Sequence, residues 1–149
     1  MLRKLFDKFT SKPAETKSMD LQTAICALLI EAAGSDEAYT DKERRLIERA
    51  VAAHFALSEE EAATLRQRAE AVQSNANDVH RFTKIAKTMN QAGKESLIGD
   101  LWRIILSDGE RTPHEETLVR QICGLIYFPD VESGRIRQQV EAELANNKG

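Results

Sequence analysis

The chain has 149 residues, 42% of them hydrophobic but only 5% aromatic, with 21 basic against 24 acidic side chains and a formal charge of −3. That is one domain's worth of chain, too apolar to be a wholly disordered tail. No apolar run is long enough for a membrane span, the N-terminus lacks a signal-peptide core, and the near-balanced charge argues against a general nucleic-acid binder. Cys26 and Cys123 sit in apolar helical patterns with neither CxxC nor histidine spacing. They read as buried free thiols of a cytosolic protein, which excludes a four-ligand structural zinc site.

Residues 1–17 carry five Lys or Arg and two Asp or Glu, so the net charge of the remainder is more acidic than that of the whole chain. Leu2, Leu5, Phe6 and Phe9 fall at helical spacing, with Arg3, Lys4, Lys8 and Lys12 forming a basic face. This pattern suits docking on a protein partner or on an anionic membrane surface. An arm that packs on its own domain or frays is the competing reading, since so short a helix is not stable alone. Residues 10–18, with Pro13 and scattered Ser, Thr and Lys, read as a linker, giving an arm over 1–18 and a helical domain over 19–149.

From residue 18 onward the apolar period is near 3.6, without strand-type alternation, which predicts an all-α bundle of about seven helices. Leu21, Ala24, Ile25, Leu28, Leu29 and Ala32 form the stripe of a first helix that stops near Gly34. A second covers residues 40–55, with Leu46, Ile47, Ala50, Val51 and Phe55 inward. Ser58 caps a third, whose first turn holds Glu59, Glu60 and Glu61 and which frays near Ser74. Asn77 or Asp78 opens a fourth, with Val79, Phe82, Ile85, Ala86 and Met89 inward, broken by Gly93. A fifth runs over 94–106 with Leu97, Ile98, Leu101, Trp102 and Ile105 as core, a sixth over 112–127, and a seventh from Asp130 into the tail.

A shift of 72 residues lays Ser35, Asp36, Thr40, Glu43 and Leu46 on Ser107, Asp108, Thr112, Glu115 and Leu118, five identities in 21 ungapped positions. About one would be expected by chance in a repeat search. Ile47 meets Val119 and Phe55 meets Tyr127, so the chain reads as a duplication of a helix, an acidic turn and a helix. Two such hairpins would pack about a pseudo-twofold axis, closed by the third, fourth and seventh helices.

Capping accounts for part of the repeat. Thr40 with Glu43 and Thr112 with Glu115 have capping-box spacing, supported by Pro113 at a first helical position. Ser58 with Glu61 is a third box without an acidic turn before it. Capping does not require the Asp seven residues before each Glu, at the exit of a helix where the dipole disfavours a carboxylate. A cation would reverse that penalty. Convergence of Asp36, Glu43, Asp108 and Glu115 would make an oxygen-rich site suited to a hard divalent ion, calcium or magnesium. Glu37 and Glu110 could add oxygens, and Gly109 eases the second turn.

Other chemistries fail on spacing. Neither turn places ligands, glycine and glutamate as an EF-hand does, and no Glu-x-x-His pair supports a di-iron bundle. His54 and His80 read as core-edge or solvated residues, with His114 the only marginal ligand candidate. There is no GxSxG or P-loop, and little sign of a substrate pocket, so a hydrolase using a metal-bound water is a minor alternative.

The turn Ser35-Asp36 leading to Glu43, and the turn Ser107-Asp108-Gly109-Glu110 leading to Glu115, resemble the tellurite-resistance TerB-like family over residues 20–145. The resemblance extends to the helical domain attached to some membrane-anchored DnaJ-type co-chaperones. It implies an all-α bundle with a duplicated Asp-Gly-type motif followed by Glu, and a metal-associated, non-enzymatic module of stress and metal-resistance systems linked to membrane proteins. The family's acidic positions fall on Asp36, Glu43, Asp108 and Glu115; the first turn departs from the pattern, with Glu37 where the glycine usually stands. The expectation is a cytoplasmic scaffold or sensor, peripheral on the membrane if the arm docks there, that binds a divalent cation and a protein partner. Its main competitor is a purely structural interaction module whose acidic turns are helix caps.

Overall fold

A computed structural model describes residues 20–34, 40–76, 79–107 and 113–148, which form seven α-helices and no strand. The arm and linker, the opening of the fourth helix at Asn77 and Asp78, and most of both acidic turns lie outside the described residues.

Helix α1 (Leu21–Ala32) is capped by Asp20, whose carboxylate accepts from the Thr23 amide at 2.8 Å. Sequence periodicity predicts one apolar stripe here, yet Cys26, Ala27 and Ile30 on the other sides are buried too. The reason is position: α1 packs against the next five helices in the chain. A helix surrounded by others has no wet side on which to keep polar residues. It stops at Gly34, whose φ of 108° belongs to the left-handed region that glycine tolerates.

Helices α2 (Asp41–Phe55) and α3 (Glu59–Ala76) each start from a formed capping box. Arg66 of α3, only 9% exposed, ties them together. Its Nε donates to Glu48 at 2.6 Å and its Nη1 to Glu70 at 2.7 Å. Helix α4 (Val79–Ala86) is short and contributes the fully buried Phe82. Gly93 does not end it. The chain leaves the helix after Ala86, and Asn90 caps α5 (Gln91–Leu106), its side chain accepting from the Gly93 amide at 2.8 Å. A good N-cap at Asn90 thus outweighs the poor helix propensity of glycine three residues on.

Leu97, Ile98, Leu101, Trp102 and Ile105 of α5 are buried as the spacing predicts. Helices α6 (Pro113–Ile126) and α7 (Asp130–Lys148) complete the fold, α7 lying on α5 and α6. The Trp102 indole donates to Ser133 Oγ of α7 at 3.0 Å, and Arg103 donates to both oxygens of Glu143 at 3.0 and 3.1 Å.

Helices α2 and α6 end alike. Ala56 and Tyr127 both take left-handed φ values, 56° and 63°. The next amide then reaches the carbonyl five residues back, Leu57 to Ala52 at 2.9 Å and Phe128 to Cys123 at 2.8 Å. Because α2 has 15 residues and α6 has 14, Tyr127 occupies the position of Ala56. The geometric counterpart of Phe55 is therefore Ile126, not the Tyr127 that an ungapped shift assigns.

Candidate cation site at the acidic turns

The described residues frame both turns. The first turn emerges at Thr40, which accepts from the Glu43 amide through Oγ1 at 3.1 Å while Glu43 Oε1 accepts from the Thr40 amide at 2.9 Å. That closes the capping box expected from the spacing, and it holds Glu43 half-buried with one carboxylate oxygen committed. The second turn departs from Ser107, whose amide and hydroxyl both bend back to the Ile104 carbonyl, at 3.2 and 2.8 Å.

One contact joins them. Lys42, in the first turn of α2, donates from Nζ to the Ser107 carbonyl at 3.0 Å, across 65 residues. The exit of the second acidic turn's helix and the entrance of the first turn's helix therefore lie side by side. The ammonium also stands at the C-terminal end of α5, where the helix dipole favours a cation. Sequence reasoning missed Lys42, because no local pattern connects it to Ser107.

Glu115 is half-buried in the first turn of α6. Asp36, Glu37, Asp108, Gly109 and Glu110 lie outside the described residues, as does the side chain of His114. Among the described residues no group of three or more His, Cys, Asp or Glu could hold a metal ion. His54 is accounted for by packing: its Nδ1 lies 3.0 Å from Ser96 Oγ, and burial lowers its pKa. Both cysteines are free and buried, and burial pushes the Cys26 thiol up to about 12 and Cys123 up to about 11.

With this geometry in place, comparison with known proteins is decisive at the family level. A family model described as Tellurite resistance protein TerB matches residues 22–138. The chain belongs to the TerB family. No curated protein and no solved structure gives a match. This TerB chain is thus an all-helical module of tellurite-resistance type, and the matched span runs from α1 into α7. No helix among its described residues is long and apolar enough to cross a membrane.

Proposed function

We propose that this TerB-type module is non-catalytic and holds a divalent cation between its two acidic turns, using Asp36, Glu43, Asp108 and Glu115, and that it serves as a scaffold or sensor for a protein partner. The observation that carries this reading is the Lys42 to Ser107 hydrogen bond, which brings the flanks of the two turns to one place on the bundle. The donor chemistry is compatible: only one Glu43 oxygen is taken by the capping box. Carboxylate oxygens are the ligands that calcium and magnesium prefer, and such an ion would relieve repulsion among four acids. The basic stripe of residues 1–12 is proposed as the element that docks the module on an anionic membrane. Loss of liposome binding on its removal is the expected result.

A second reading has its own support. The Ser58 box is built like the Thr40 box but follows no acidic turn, and Lys42 already supplies a cation at the exit of α5. On that reading the turns are helix caps and the module binds proteins without metal.

Thermal unfolding separates the two. Metal-stripped protein is titrated with calcium, magnesium, manganese and zinc beside the double variant Asp36→Asn, Asp108→Asn. A ligand 100-fold above its dissociation constant stabilises by about 2.7 kcal/mol. Stabilisation of the wild type that disappears in the double variant is expected; no stabilisation, or equal stabilisation in both, overturns the cation site in favour of caps.

A further inference from the structure

A second location on the molecule carries a charge arrangement that the proposed cation site does not use. A cavity of about 220 Å³ opens among α5, α6 and α7, lined by Trp102, Arg120, Arg137, Ser133, Glu116 and Asp130 among others. Arg137 lies with its guanidinium 5.6 Å from the centre of the Trp102 ring. Its Nε is sealed from solvent and has no hydrogen-bond partner. The ring beneath it is fixed, since Trp102 Nε1 donates to Ser133 Oγ at 3.0 Å. Arg120 reaches the same cavity from an exposed position on α6.

This pair differs from the other arginines that hold the bundle together. Arg66 is matched by Glu48 and Glu70, and Arg103 by Asp100 and Glu143. Among the described residues no ion pair reaches Arg120 or Arg137, although Glu116 and Asp130 line the same space. Because Arg137 Nε is closed to solvent, a ligand oxygen in the cavity would be met by Arg120 and by the outer nitrogens of the half-buried Arg137 guanidinium.

We propose that this cavity binds a small molecule through an oxyanion, a carboxylate or phosphoryl group, held between Arg120 and Arg137 beside Trp102. Planar guanidinium donors match the paired oxygens of either group. The volume lies below the roughly 300–1,000 Å³ typical of drug-sized ligands, which fits a compact molecule. Two carboxylates beside the two arginines leave the cavity near neutral overall, so a polyanionic surface such as nucleic acid or an acidic membrane is disfavoured while one compact oxyanion is accepted.

Trp102 is the only tryptophan in the chain and lines this cavity, so tryptophan fluorescence has a single source there. The test titrates the full chain with inorganic phosphate, glycerol phosphate and acetate at constant ionic strength, with chloride as the balancing salt. A saturable change with at least one of them is expected, weakened tenfold or more in Arg120→Ala and in Arg137→Gln. The ranking of the three distinguishes phosphoryl from carboxylate ligands. Arg120 is exposed and anchors no other described residue, so Arg120→Ala keeps the test decisive even where Arg137→Gln disturbs Trp102. Absence of saturation with all three probes, or unchanged saturation in Arg120→Ala, overturns the proposal.

Discussion

Lys42 Nζ lies 3.0 Å from the main-chain carbonyl of Ser107, fastening the start of α2 to the end of α5 across 65 residues of chain. The contact satisfies a carbonyl at a helix C-terminus and places a positive charge where the dipole is negative. It also stands beside the segment proposed to hold a second cation, so the same ammonium stabilises the bundle and opposes a metal ion.

Lys42→Ala therefore has two consequences with different signs. In chelator, loss of an exposed charge-dipole contact lowers stability by about 0.5–1 kcal/mol. In saturating divalent cation, removal of the competing charge tightens ion binding and much of that loss is recovered. Denaturant unfolding with and without the ion measures both, and an equal loss in the two conditions assigns Lys42 to helix capping alone.

The capping box and the ion make separate demands on Glu43. Thr40→Ala removes the acceptor for the Glu43 amide and is expected to cost about 1 kcal/mol, with Ser58→Ala costing a similar amount at the equivalent box. Glu43→Gln preserves the N3 side-chain acceptor and most of the cap. It should keep metal-free stability close to wild type and sharply weaken stabilisation by cation, both read from thermal melts.

Asp100 makes stability depend on pH in the direction opposite to an ordinary ion-paired acid. Burial pushes its carboxyl up from 3.8 to about 6, against the pull of Arg103 beside it. Between those values the folded chain binds more protons than the unfolded chain, so this group's contribution falls as pH rises and is lost above about 6. Asp100→Asn removes the dependence. Its stability relative to wild type should improve by about 2 kcal/mol between pH 4 and pH 8. A constant gap across that range in urea titrations would show that the carboxyl ionises normally.

The thiols should be inert in the folded protein. Cys26 and Cys123 are fully buried, and burial holds both above the ordinary thiol range, so little thiolate forms at neutral pH. Mass spectrometry after iodoacetamide at pH 8 is expected to find no adduct on native protein and two after unfolding in guanidinium. Rapid modification of native protein at either residue would contradict the packing described for α1 and α6.

Much of the architecture is legible in one sequence because its determinants are local. Helical periodicity marks the apolar residues of α2 and α5, and the Thr40 and Ser58 boxes mark two helix starts, since the hydrogen bonds concerned span only three residues. Even the error at Gly93 is a local one, a competition between glycine and the cap at Asn90.

By itself, then, the chain's order of residues determined the all-α class, the starts of α2 and α3 and the family, each a matter of period or short motif. Only the tertiary structure decided that α1 is the central helix, that Lys42 reaches Ser107, and that Arg120 and Arg137 share a cavity with no ion pair to either among the described residues. These facts depend on which helices become neighbours, a result of burying apolar surface from the whole chain at once. No short window of sequence contains that information.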